Sequence, residues 1–320
     1  MEIKIPYYED MSRISNSNIG WYLKKGPVYL HKKLNGEIPE EKNSTLKKGT
    51  MIHEYLLQPE KFNKDYVVFT SQLPSSLQQT TFCTELANST EIEPNKAILS
   101  AYKTAYSTNG KTDDKMLSEG LKIADTLKDY IRYLKDKDER IIIKPYDITL
   151  LENIKKKVKA HKSANRHINL NESKNEFHIN WEHNGVKCKS LLDSVCFIED
   201  EKTCIIQDLK TTSKLWHFED SIKEYDYLRQ LCFYYMASKW YIDNELKSNS
   251  EEWNFFFFII AIDTVEDNDV RVFFIDKEDV LSREDTINDI LAKIKWHIDT
   301  GIWNYTKEYY EGIGCEKLNL

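Results

Sequence analysis

An α/β (α+β) fold, a central mixed β-sheet flanked by helices and carrying a helical insertion, is predicted by three observations on this 320-residue chain. Apolar residues recur at helical spacing through the first half. The spacing then switches to alternation between about residues 176 and 209. A helical stretch and two further strand-like runs come next, so the order reads helix, three strands, helix, two strands, helix.

Each element has its own signal. In SRISNSNIGWYLKKGPVYLHKKL, residues 12–34, Ser15 or Ser17 can cap a short helix, and Gly26-Pro27 breaks it before a second one. TLKKGTMIHEYLL, residues 45–57, sets Met51 or Ile52, Tyr55 and Leu56 at helical spacing, which puts His53 on a helix. Residues 71–112 are rich in Ser, Thr, Asn and Gln and read as loop with short helix. Helical patterns over 114–136 and 149–164 complete a helical insertion at about 71–170, inside a single domain 1–320 with its core at about 172–276. EFHINW (176–181) and VKCKSLLDSVCF (186–197) alternate, and TCIIQDL (203–209) is a third strand after the turn-like EDEK. EYDYLRQLCFYYMASKWY (224–241) reads as a largely buried helix. WNFFFFIIAI (253–262) and VRVFFI (270–275) are strands, and a helix lies near 282–298.

Composition bounds the function. With 41% hydrophobic and 12% aromatic residues the chain can bury a sizeable core. A formal net charge of -7 excludes a uniformly basic surface, so any nucleic-acid contact has to be local. MEIKIPYYEDMSRIS lacks the layout of a secretory signal, and no apolar run approaches the ~20 residues of a membrane span, so a soluble cytoplasmic protein without membrane contact is expected. The six cysteines, at 83, 188, 196, 204, 232 and 315, contain no CxxC pair and read as reduced, mostly buried thiols.

The chemistry is concentrated in LLDSVCFIEDEKTCIIQDLKTTS. On a strand Asp208 and Lys210 project to one side, and Gln207 and Leu209 to the other. Asp193, on the preceding strand of a hairpin, can meet Asp208 across the ladder. Two carboxylates brought together repel unless a cation lies between them, and oxygen donors suit Mg²⁺ or Mn²⁺. An ammonium beside such a cation, here Lys210, suits phosphodiester hydrolysis, where it stabilises charge in the transition state.

The ordered set Gly49-x3-His53, Asp193, Asp208-x-Lys210 and Gln230-x3-Tyr234 resembles the PD-(D/E)XK nucleases. Within that superfamily it is similar to the RecB-like nuclease domain and to the phage exonucleases that include lambda exonuclease and exonuclease VIII. The stretches that carry the resemblance are KKGTMIHEYLLQPEKF, DLKTTSKLWHFEDSI and YLRQLCFYY, covering roughly residues 12–66 and 172–310. The resemblance implies a restriction-endonuclease-like core. It implies His53, Asp193 and Asp208 as metal ligands with the Leu209 carbonyl, and Lys210 as the catalytic lysine. Glu176 occupies a strand where relatives carry an acidic residue near the metal, and Gln230 and Tyr234 lie on a helix that faces DNA. Relatives often have a basic or small residue before the first aspartate, where this chain has Leu192.

By the same resemblance the activity expected is a 5′→3′ exonuclease on double-stranded DNA ends, leaving 3′ single-stranded tails for recombination. The assembly expected is a homo-oligomeric ring working with a single-strand annealing recombinase. An endonuclease or repair nuclease of the superfamily, and a catalytically silent DNA-binding or assembly module, are the alternatives. The iron–sulfur branch needs three clustered C-terminal cysteines, and only Cys315 lies there. Lys155 and Lys159, in the densest basic run, are candidate phosphate contacts, and a solvated helix face is the competing reading. Lys24 and Lys25, with Ser15 and Ser17, are candidates for a 5′-phosphate pocket.

Overall fold

The computed structural model describes residues 6–39 and 44–316, so the first five residues of the N-terminal stretch lie outside the described residues. Two compact units make up the chain, Met1–Pro59 with Leu150–Leu320, and Glu60–Thr149. In the first, α1 (Asn16–Leu34) starts where the sequence places a cap. The Ser15 N–H donates to Asn18 Oδ1 at 2.7 Å and the Ser15 hydroxyl accepts from the Asn18 N–H, which satisfies two otherwise unpaired donors. The expected break at Gly26-Pro27 is a kink, with Gly26 at φ 77. Helix α2 (Ser44–Leu57) buries Met51, Ile52 and Leu57.

The second unit runs α3 (Pro59–Asp65), β1 (Tyr66–Val68), α4 (Leu77–Asn88), α5 (Pro94–Ala105), α6 (Asp113–Thr126), α7 (Lys128–Lys135) and β2 (Ile141–Ile143), with β1 parallel to β2. Residues 71–112, expected to be loop with short helix, hold two twelve-residue helices, α4 and α5. Their polar residues are the solvated faces. The few apolar ones, Phe82, Cys83, Leu86, Ala97, Ile98, Ala101 and Tyr102, converge with Met116, Leu127 and Ile131 in one buried cluster. Gly120 allows that convergence, because a Cβ there would stand 2.7 Å from Ile98 Cγ2.

Next come α8 (Pro145–Ala160), α9 (Lys162–Ile168), β3 (Lys174–His183), β4 (Val186–Ile198), β5 (Thr203–Thr212), α10 (Phe218–Glu224), α11 (Tyr227–Asn244), β6 (Asn254–Asp263), β7 (Val270–Ile275), α12 (Lys277–Leu281), α13 (Glu284–Thr300) and α14 (Lys307–Glu311). The predicted mixed sheet is present, with strand order β3-β4-β5-β6-β7. All neighbours are antiparallel except β5 and β6, whose parallel pairing requires the crossover that α10 and α11 supply. Asn184 and Gly185, at φ 47 and 78, form the two-residue turn that joins β3 to β4. Ile19, Tyr22 and Leu30 of α1, the buried face of α11 and Ile287, Leu291 and Ile294 of α13 pack on the sheet as one core. Among the described residues no helix is long and apolar enough to cross a membrane.

The pleat of the sheet is interrupted at one level. Core positions along β4 run Val186, Cys188 and Leu192, then Val195 and Phe197, so the alternation slips by one residue at Leu192–Asp193. On the facing strand Glu176, a non-glycine residue, has φ 47, in the sparsely populated left-handed region. Phe177 still pairs with Leu192, and Asn175 with Ser194, so the break is confined to the level of Glu176 and Asp193.

Candidate active site

Three acidic residues lie at one level across three strands. The β3–β4 register sets Glu176 level with Asp193, and continuing the β4–β5 register one step beyond Ser194↔Gln207 sets Asp193 level with Asp208. Helix α2 brings His53 to the same place, with its Nδ1 3.6 Å from Asp193 Oδ2. One donor atom each from His53, Glu176 and Asp193 lie within 4.8 Å of one another. Asp193 also accepts the Leu209 N–H at 2.7 Å, which ties the Leu209 peptide to one of the ligand candidates.

Asp208, expected among the ligands, falls outside that set of mutually close donors among the described residues. Its side chain is 1% exposed; Oδ2 pairs with Lys210 Nζ at 2.6 Å, and Oδ1 accepts from Gln230 Nε2 at 3.0 Å. Gln230 Nε2 also reaches the Tyr234 hydroxyl at 2.7 Å. Gln230 and Tyr234, one helical turn apart, therefore form a chain ending on Asp208, and Tyr234 is buried. These contacts hold the Asp208 carboxylate in place.

The electrostatics suit a bound cation. Burial pushes the Asp208 carboxyl up to about 6, against the pull of Lys210, and raises Asp193 as well. Burial works to lower Lys210, but the two carboxylates beside it outweigh burial and leave it above its ordinary value. Burial and the Lys210 charge push His53 down to about 4, so near neutrality its ring is uncharged and able to donate a lone pair. Three carboxylates against one ammonium leave a charge of about -2 in a half-buried space, the condition that a divalent ion relieves. Two carboxylates and one neutral imidazole are a donor set that fits Mg²⁺ or Mn²⁺.

Two neighbours are not among the site residues expected from the sequence. Tyr227, in the first turn of α11, lies under Lys210, with Nζ 4.9 Å from its ring centroid. Its position three residues before Gln230 was the available signal. Tyr7 is carried in by the N-terminal segment, which buried Lys189 fixes by donating to the Tyr7 and Asp10 carbonyls at 2.5 and 2.6 Å. Burial, together with the nearby Tyr8 and Glu176, raises the Tyr7 phenol well above its ordinary value. Nothing in the local sequence marks Tyr7, because it arrives through a contact 182 residues away.

The basic candidates are dispersed. Lys155 Nζ lies 5.1 Å from the ring of Tyr55, on the helix that carries His53. Lys157 pairs with Asp269 at 2.5 Å, and Lys159 is exposed. Lys24 and Lys25 are exposed on α1, and the Ser15 hydroxyl serves the helix cap.

Residues 21–312 match the family model described as "PDDEXK-like domain of unknown function (DUF3799)". Among solved structures, the chain is similar to the crystal structure of a "Putative exonuclease" from Eubacterium rectale, at 13% sequence identity and a TM-score of 0.52. That similarity covers 100% of this chain and 96% of the other, and at such identity it speaks for the fold alone. No curated protein matches the chain.

Proposed function

The chain belongs to the PDDEXK-like domain family (DUF3799), and from that premise we propose that it is a divalent-metal-dependent nuclease hydrolysing the phosphodiester bonds of DNA. The observation that carries this reading is the convergence of His53, Glu176 and Asp193 beside the Asp208–Lys210 pair. His53, Glu176 and Asp193 would hold the ion, with Asp208 and the Leu209 carbonyl completing its surroundings. When bound, Mg²⁺ or Mn²⁺ supplies acidification of a water and neutralisation of phosphate charge. Lys210 keeps its ammonium charged through Asp208 and directs it at the oxygen where charge builds up. Gln230 and Tyr234 hold Asp208 in orientation, so Lys210 does not swing away.

The finer reading is an exonuclease that digests 5′→3′ from double-stranded ends and leaves 3′ tails for a single-strand annealing recombinase. Similarity to a structure named for an exonuclease and the motif resemblance support it. A homo-oligomeric ring is part of this reading, since a chain of net charge -7 cannot hold DNA by diffuse attraction. The test is digestion of end-labelled linear duplex, with and without a 5′-phosphate, beside a covalently closed circle, in Mg²⁺ and in EDTA. Linear duplex degraded from its 5′ ends, an intact circle and no product in EDTA are expected. Cleavage of the circle would replace exonuclease by endonuclease, and activity in excess EDTA would overturn the metal-dependent reading.

A further inference from the structure

A single stack of aromatic rings begins at the catalytic lysine candidate and ends in solvent on both sides. Tyr227, against which Lys210 Nζ lies, stacks on Tyr225 (centroids 5.7 Å apart, planes 23° apart) and on Phe218 (5.9 Å, 28°). Phe218 stacks on Phe273 at 5.2 Å and 22°. The Arg271 guanidinium lies 4.7 Å from the Phe273 centroid and 5.6 Å from that of Trp216, and so extends the stack to a sixth group. The interior member Phe218 is fully buried, whereas Tyr225 is 52% and Trp216 70% exposed.

Single exposed aromatics are ordinary, but these two are held differently. Trp216 is centred in a three-residue helical turn, Leu215–His217, whose neighbours Leu215 and Phe218 are buried. Tyr225 closes α10 and rests on Tyr227. Tyr225 is supported by Tyr227 and Trp216 by the Arg271 guanidinium, contacts that lower the ordering cost of stacking against them. The stack also passes beneath the ammonium that the proposed chemistry sets against the scissile phosphate. Tyr225 lies one ring beyond Tyr227, within reach of a base on a nucleotide next to that phosphate, and Trp216, at the far end of the stack, is set to meet a base further along the strand. Bases inside a duplex have both faces covered by neighbouring pairs, so two rings set along the strand stack on bases that have come unpaired, at a frayed or single-stranded end.

We propose that Tyr225 and Trp216 are stacking platforms for unpaired DNA bases flanking the scissile phosphate, and that they make a frayed or single-stranded terminus the species the site engages. This rests on the nuclease reading above. The measurement uses the full chain in Ca²⁺ with a single-stranded oligonucleotide carrying 2-aminopurine near its 5′ end, alongside the same oligonucleotide with abasic residues at the terminal positions. Cleavage by the unaltered protein in Mg²⁺ is followed in parallel. Binding should quench 2-aminopurine, and Tyr225→Ala and Trp216→Ala should each restore its emission and weaken binding on the order of 10-fold. Tyr225→Phe and Trp216→Phe should keep both signals, and the abasic oligonucleotide should bind all variants alike. Alanine variants that bind and quench as the parent does, while the parent cleaves, would overturn the platforms and leave the nuclease standing. A parent that neither cleaves nor binds DNA would remove both.

Discussion

At the scale of single residues, the site is a problem of charge held in a small volume. Lys210 is the only ammonium paired with Asp208 among the described residues, and its role is to be charged at one point. Lys210→Ala should lower hydrolysis about 100- to 1000-fold while circular dichroism remains that of the parent, because the lost group acts on developing charge. A fully active variant would remove the mechanism. His53 gives a separate test through pH. Its folded value, about 4, lies below the ordinary 6.5, so between these limits the unfolded chain binds a proton that the folded chain does not. Stability from this group is full above pH 6.5 and is lost as pH falls through about 4. Asp208, raised to about 6, contributes with the opposite sign over the same window, but it is present in parent and variant alike and largely cancels between them. Metal-free His53→Asn should therefore gain stability relative to the parent on going from pH 7 to pH 4.5, by about 1 to 3 kcal/mol. Denaturant melts at the two pH values measure it, and an unchanged difference would place His53 outside the buried site.

At the scale of elements, the slip in β4 is what sets Asp193 with Glu176 and His53, beside the Asp208–Lys210 pair. Regular pleating would carry successive side chains to opposite faces, whereas Glu176 at φ 47 resets the phase where Asp193 stands opposite. A left-handed backbone at a residue with a Cβ costs on the order of 1 kcal/mol, and strain of this kind persists where function requires it. Glu176→Gly should therefore raise the melting temperature of the metal-free protein, by relief of strain and of carboxylate repulsion. The same change should shrink the further stabilisation given by Mg²⁺ or Mn²⁺, which for the parent is about 2.7 kcal/mol at a hundredfold excess over Kd. Thermal melts with and without Mn²⁺ read both effects. A metal-free variant less stable than the parent would mean that the left-handed backbone is not under strain.

At the scale of the whole molecule, the net charge of -7 has to be reconciled with a polyanionic substrate. The proposed enclosure by a ring would reconcile them, and it would separate two salt effects. Loading onto an end should weaken steeply with salt because phosphate contacts release counterions, whereas the length digested per loading event should fall much less. Light scattering gives the assembly mass, and single-turnover digestion with trap DNA at two salt concentrations gives the processivity. A monomer that lets go after a few nucleotides at both salts would end the ring proposal. The sheet and its crossover helix were legible in the sequence, as were the candidate site segments, since hydrophobic period and the Asp-x-Lys and His-bearing stretches are local features. Helices α4 and α5 escape a reading of local pattern because short polar helices rely on tertiary packing more than on their own propensity. Only the packed structure shows that Glu176 stands with His53 and Asp193, that Asp208 is engaged by Lys210 and Gln230, and that Lys189 holds the Tyr7 backbone. Those arrangements arise from strand register, a single left-handed residue and contacts between segments far apart in the chain, and no local spacing encodes them.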